Sequence, residues 1–462
     1  MSTSRPTRHS EDQLMEQSKH LWHPMSSPML NRTAKPLIIE RGEGVYVWDV
    51  EGNQYFDAMS GLWCVNVGHG RKEVKQAIIA QLERLEYHNT FNMMSHPGAI
   101  QLAHRITSIL SDEGMVRVFF SSGGSDAVET ALKLARLYWR LKGHAERTKF
   151  FALKGCYHGM HFGGTSLSGS PASRAAFGPV LADCYHVDVP HRYRNPWTED
   201  PEALGEICAG ILDREIQQQV PATVAAFIAE PVLGIGGVIV PPPNYWPRVR
   251  EICDKYEILL IADEVVSGFG RTGSMSGSRG WGVKPDIMCL AKGLTSGYIP
   301  MGATAVNNRV AEVVESVPPP QGMLLHGYTY SGHPVAAAAA LACLDIVERE
   351  DLPGNARSVG SYLLERLQSL RSYSHVGDVR GKGLMAAIEL VQDRKTKTPL
   401  APNSTIGNEI SRIAGQHGAL VRCVGSLIIL SPPLISTRVH MDQLVGALDT
   451  AFSQIDQRVA AA

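Results

Sequence analysis

Residues 258–292 read ILLIADEVVSGFGRTGSMSGSRGWGVKPDIMCLAK: an apolar run closed by an acid, then a second apolar run closed by a lysine. Asp263 follows 258–262 directly, and Lys292 follows 287–291. Short apolar runs with little polar alternation fit strands buried on both faces of a sheet. In an open parallel sheet, residues just past the strands' carboxyl ends face the ligand crevice, so these two side chains can meet although 29 positions separate them. Taken singly, each residue is better read as an element cap or a member of an ordinary ion pair than as a functional group.

The same pattern extends outward from this stretch. Apolar runs at 116–120, 149–153, 224–229, 258–262, 287–290 and 303–306 alternate with segments of helical period at 125–141, 201–219 and 244–256. This predicts an α/β fold, a large domain with a mostly parallel sheet covered by helices. Upstream, 44–57 alternates on either side of a Glu51-Gly52-Asn53 turn and reads as a hairpin, and a helix is expected over 71–85. After Pro334 come two helices, 335–350 and 356–370, and strands at 386–391 and 426–430, the pattern of a smaller α+β domain. The expected division is 1–70, an N-terminal segment joining the small domain; 71–333, a large cofactor-binding domain; and 334–462, the C-terminal small domain. The first dozen residues read as mobile, and the segment around His20-Leu21-Trp22-His23-Pro24-Met25 as a loop over a site.

Bulk properties narrow the function. A formal charge of −1 and a pI near 7.0 over 462 residues favour neither nucleic acid nor an acidic membrane surface. Eight scattered cysteines with no C-x-x-C pair predict reduced thiols in a cytoplasmic protein, and the polar N-terminus has no apolar core for a secretory signal. The greasiest run, 335–344, is about half the length of a membrane helix. Small molecules are the expected partners.

Several motifs carry chemistry. Phe119-Phe120-Ser121-Ser122-Gly123-Gly124-Ser125-Asp126 is a strand, a small-residue turn and a helix start, where free backbone N–H groups can hold a phosphate; a tight strand-to-helix connection is the bland alternative. Gly268-Phe269-Gly270-Arg271-Thr272-Gly273 matches the dinucleotide G-x-G-x-x-G pattern, but the Ser- and Gly-rich residues after it are poor helix formers, which argues against a nicotinamide site. His158 and His161 have no carboxylate or thiol at helical spacing and read as turn or packing histidines, so no metal is expected. Ser125, Tyr157, Glu230, Asp263 and Lys292 follow five different expected strands and should converge in one crevice. A phosphate cradle, an aromatic ring, an acid and an amine together suit pyridoxal phosphate.

The chain resembles a class III (omega) aminotransferase of pyridoxal phosphate fold type I, in the amine, polyamine or β-alanine to pyruvate branch. The matching stretches include GVYVWDVEG (44–52), GLWCVNVGHG (61–70), GSDAVETALK (124–133), AEPVLGIGG (229–237), IADEVVSGFGRTG (261–273), LAKGLTSGYIPMG (290–302), HGYTYSGHP (326–334) and SPPL (431–434). The resemblance implies pyridoxal 5'-phosphate held by Lys292 as an aldimine, with Asp263 on the pyridine nitrogen, Val265 and Tyr157 on the two ring faces, and Glu230 supporting the ring's oxygen side. It implies a phosphate bound by Gly124 and Ser125 with Thr329 from a neighbouring subunit, and hence a homodimer or homotetramer with shared active sites. Trp63, Tyr87 with His88, Tyr157 and Arg422 would contact the substrates, Arg422 clamping the carboxylate of the keto acid. The implied reaction moves an amino group from a primary amine or omega-amino acid to pyruvate, giving an aldehyde or ketone plus alanine. A decarboxylase or aminomutase of the same fold is the alternative. Gly123-Gly124-Ser125-Asp126 stands where many relatives have Ser-Gly-Ser-Glu, and Ser426 where the polyamine branch often has Asp, which leaves the amine donor open.

Overall fold

The computed structural model describes residues 11–461. The expected mobile N-terminus lies outside them except for Glu11 and Asp12, which open the helix Glu11–Ser18. The strands in chain order are β1 (Ile39–Glu43), β2 (Tyr46–Asp49), β3 (Gln54–Asp57), β4 (Met115–Ser121), β5 (Lys149–Leu153), β6 (Cys184–Val187), β7 (Val224–Ala229), β8 (Leu259–Asp263), β9 (Ile287–Leu290), β10 (Gly302–Asn307), β11 (Val376–Gly381), β12 (Ala386–Asp393), β13 (Thr398–Pro399), β14 (Ala419–Leu420), β15 (Arg422–Val424) and β16 (Leu427–Leu430).

The central sheet has seven strands in the order β4-β10-β9-β8-β7-β5-β6. β6, β5, β7, β8 and β9 pair in parallel. β10 runs antiparallel to both β9 and β4, so the run at 303–306 joins the sheet reversed. The reason is local: the connection from β9 carries only the single turn Lys292–Leu294, whereas a parallel return needs a longer crossover, usually with a helix. Every residue of β7, β8 and β9 is buried, which is why their sequences show no polar alternation. The helix Gly124–Leu141 lays Ala127, Val128, Ala131 and Ala135 into the same core as these strands, and small side chains allow that approach.

Two smaller sheets flank this layer. The hairpin β2–β3 closes through Gly52 at φ 92, and Asn53 donates from its backbone and its amide to Asp49 at 2.8 and 3.0 Å. β14 adds to β3 in parallel, which joins the two ends of the chain in one sheet. The other sheet runs β11-β12-β16-β15, with β13 on β12. The second helix after Pro334 spans Leu352–Leu367, earlier than its expected start, because Asp351 caps it by accepting Gly354 N at 3.1 Å. No described helix is long and apolar enough to cross a membrane.

Candidate active site

The carboxyl ends of β4, β5, β7, β8 and β9 deliver Ser125, Tyr157, Glu230, Asp263 and Lys292 to one cavity of about 320 Å³. Trp63, Val265 and Arg422 also line it, as do Pro24 and Met25 from the N-terminal loop. All five strand-end residues therefore converge as their spacing implied.

Lys292 begins a 3-10 turn at φ 42, a backbone conformation that costs a non-glycine residue about 1–3 kcal/mol. Burial pulls its amine below the ordinary lysine range, with Cys64, Asp263 and Glu230 opposing. An uncharged amine is the form that attacks a carbonyl carbon or accepts a proton.

Asp263 ends β8 with its carboxylate fixed on both oxygens: Val265 N donates to Oδ1 at 3.1 Å, and His158 Nδ1 lies 2.7 Å from Oδ2. The His158 ring is wholly buried and its backbone N donates to Ser168 Oγ at 3.0 Å. Burial works against a charge on this ring, but Cys156 and Asp263 outweigh it and hold the His158 pKa well above the usual histidine range. His158 is thus more than the packing histidine its sequence context suggested. Its role was hidden because its partner lies 105 positions away.

Glu230 is similarly anchored, accepting Tyr157 N on Oε1 at 3.0 Å and Gly234 N on Oε2 at 2.7 Å. Burial pushes it up to about 7 despite the nearby His158. Burial, reinforced by Asp263, likewise raises the Tyr157 hydroxyl, while burial lowers the pKa of Arg422, with Tyr157 opposing.

The proposed phosphate cradle is built by close backbone approach. Gly123 is extended and the helix Gly124–Leu141 starts behind it, presenting unpaired N–H groups at its positive end. A Cβ on Gly124 would lie 2.9 Å from Val265 Cγ1, so the valine packs directly on the helix start. Ser125 Oγ accepts Met160 N at 3.1 Å, and Gly159, at φ 97, makes room for it. Asp126 Oδ2 accepts Ser122 N at 2.9 Å and closes the turn.

The 268–273 stretch is a buried turn with Phe269, Gly270 and Gly273 at positive φ, followed by the 3-10 turn Ser278–Trp281 and no α-helix, so it lacks the helix start a dinucleotide needs.

The Tyr87-His88 pair, expected in the substrate pocket, does not line this chain's own cavity, nor does Thr329, expected from a neighbouring subunit. Tyr87 donates its hydroxyl to Thr329 O at 2.7 Å and packs its ring on Tyr330 and His333, and neither Tyr87 nor Thr329 lines the cavity. His88 turns to Asn89 O at 3.0 Å on the surface.

The sheet and its crevice define a pyridoxal phosphate enzyme of fold type I. The residues present fit that cofactor: a buried amine whose pKa burial lowers, a doubly anchored carboxylate, and a helix start cleared by glycines. Residues 29–452 match the family model for class III aminotransferases. The chain is 42% identical over 425 residues to the putrescine–pyruvate aminotransferase of Pseudomonas aeruginosa, covering 92% of this chain and 91% of that protein. It is 38% identical over 441 residues to an omega-aminotransferase of Caulobacter vibrioides, covering 94% and 97%. It superposes with a TM-score of 0.93 on an amine transaminase from an uncultivated Pseudomonas species in its pyridoxal phosphate-bound form, at 54% identity over 94% of this chain and 98% of that one. The chain belongs to the class III aminotransferases and is a pyridoxal phosphate-dependent transaminase. A decarboxylase or aminomutase is not favoured.

Proposed function

We propose that the enzyme moves an amino group from a primary amine or omega-amino acid to pyruvate, releasing an aldehyde or ketone and alanine. One observation carries this reading: Lys292, whose amine pKa burial lowers, faces a chamber walled by Leu62, Trp63, Ile235 and Val266, in which Arg422 supplies the one guanidinium among the described residues that line it. An apolar wall accepts the body of an uncharged amine, and a planar guanidinium suits a keto acid's carboxylate. The putrescine–pyruvate relative supports the same pair of substrates.

In this reading Lys292 holds the cofactor, and Asp263, fixed by His158 and Val265 N, keeps the proton on the pyridine nitrogen. Bound pyridoxal phosphate supplies an electron sink for the charge left on the substrate carbon. Lys292, whose amine pKa burial lowers, would serve as the base that accepts the proton from that carbon. Val265 and Tyr157 confine the ring, Glu230 supports its oxygen side, and Gly124 and Ser125 bind the phosphate. Thr329 and Tyr87, which face away from their own cavity, are assigned to the site of a neighbouring subunit in a homodimer or homotetramer. Cytoplasmic residence belongs to the same reading, supported by the unpaired state of all eight cysteines. So does the division into 71–333 and a smaller unit made by 1–70 and 334–462, supported by the pairing of β14 with β3.

Purified holoenzyme should show a visible cofactor band that an amine bleaches and pyruvate restores, and Lys292→Ala should abolish the cycle. A donor panel of β-alanine, taurine, putrescine and 1-phenylethylamine identifies the amine class. A band that bleaches but that no keto acid restores refutes the acceptor assignment.

A further inference from the structure

We propose that Arg271 is a positioning residue that locks the Trp63 wall against the Lys292 turn and thereby sets which amines fit the cavity; this rests on the amine-transfer reading above. Arg271 lies outside the cavity, in the stretch that imitates a dinucleotide motif. Its side chain is fully buried, and it forms no carboxylate ion pair among the described residues. A buried guanidinium with no carboxylate in ion-pair contact, Asp57 acting on it only from a distance, is costly unless hydrogen bonds fix it in place.

Those bonds join segments far apart in the chain. Nη1 donates to Leu384 O at 2.9 Å and to Pro432 O, both beside the β11-β12-β16-β15 sheet. Nη2 donates to Asn66 Oδ1 at 2.8 Å and, more weakly, to Ser60 Oγ at 3.4 Å. Ser60 and Asn66 bracket the turn that carries Trp63 into the cavity wall, and Ser60, Gly61 and Trp63 all have positive φ, at 48, 62 and 64. A turn with three residues in that region persists only when its surroundings over-determine it.

Asn66 extends the brace to the lysine. It donates through Nδ2 to Phe269 O at 3.0 Å, and a Cβ on Gly293 would lie 2.3 Å from that same nitrogen, so the amide rests on the residue next to Lys292. Val67 N donates to Ser296 Oγ at 3.0 Å on the far side of the same turn. The planar fork of arginine spans carbonyls on one side and the Asn66 amide on the other; lysine, with a single nitrogen, cannot make both connections in one plane.

The two sides of the fork separate fold from specificity. Asn66→Ala removes the connection to the Trp63 and Lys292 turns while leaving the bonds from Arg271 to Leu384 and Pro432 in place. In holoenzyme, Asn66→Ala and Arg271→Lys should each change the kcat/KM ratio of 1-phenylethylamine to putrescine by about tenfold, mainly through KM of the bulky donor. Each should also displace the pH midpoint of the cofactor's absorbance band, because the Lys292 turn has lost its backing. A brace that serves the fold alone lowers the melting temperature and leaves both readouts in place. If the donor ratio and midpoint of folded Asn66→Ala match the parent enzyme, or if neither variant folds, the proposal is overturned. Failure of any amine to bleach the parent enzyme's band would sink the transfer reading instead, and the pH midpoint would still decide the role of Arg271.

Discussion

Gly159→Ala tests the phosphate cradle most directly. Gly159 has φ 97, and an added Cβ would lie 2.5 Å from Ser125 Oγ and 2.9 Å from both Ser125 Cα and Cβ. The Cα belongs to the helix start and cannot swing aside, so either the loop at 157–160 or the first turn of Gly124–Leu141 must retreat. Either movement breaks the bond from Met160 N to Ser125 Oγ, now 3.1 Å, and turns the serine away from where the phosphate would bind. A hydrogen bond to a charged group contributes about 1.5–3 kcal/mol, so cofactor affinity should fall about ten- to hundredfold. Titration of apoenzyme with pyridoxal phosphate, followed by absorbance, measures this. Gly155→Ala is the control, since Gly155 has φ 74 but no atom within 4 Å of an added Cβ, and so carries the backbone strain without the clash. Equal affinities for the two variants would refute the cradle as described.

Two other perturbations probe the groups around the site. His158→Ala leaves Asp263 Oδ2 without its buried partner, and loss of a hydrogen bond to a charged group should reduce kcat about tenfold or more with little change in donor KM; an unchanged kcat in steady-state assays would place the support of Asp263 elsewhere. Glu389 is held by Arg194, Arg380 and His191. Burial alone would raise its pKa, but these partners lower it to about 2 from an ordinary 4.5. The folded state therefore binds the Glu389 proton more weakly than the unfolded chain does. This contributes on the order of 3 kcal/mol of stability above pH 4.5, lost as the pH falls toward 2. Glu389→Gln should flatten that acid limb in denaturant unfolding, and a limb of unchanged slope contradicts the assignment.

Much of the fold was legible because its strands are buried on both faces. The runs at 149–153, 224–229 and 287–290 coincide with β5, β7 and β9, since continuous apolarity bounded by turns leaves little choice of element. The reversal of β10 was not legible, because a run of Ala, Val and Thr carries no direction; only the short connection after Lys292 does. β6 (Cys184–Val187) was missed because it is half-buried and its polar His186 interrupts the run. The C-terminal helix Arg438–Ala461 went unassigned for a similar reason, its apolar face being diluted by polar residues on the others.

The site divides along a different line. Residues that close a strand, such as Glu230, Asp263 and Lys292, declare themselves by position, because a sheet turns local order into spatial convergence. Residues that hold those groups do not: His158 reaches Asp263 across 105 positions, Arg271 reaches Asn66 across 205, and Arg380 donates to Gly237 O across 143. Each of these contacts ends on a carbonyl, an amide or a carboxylate that any part of the chain could supply, so no spacing encodes it. Arg380 shows the consequence: through its bond to Gly237 it ties β11 to the 234–237 loop, whose Gly234 N holds Glu230 and whose Ile235 lines the cavity. The pair it forms with Glu389 thus connects the flanking sheet to the active site. Protonating Glu389 near pH 2 should loosen that loop as well as the sheet, and cofactor release should then follow the same acid limb as unfolding.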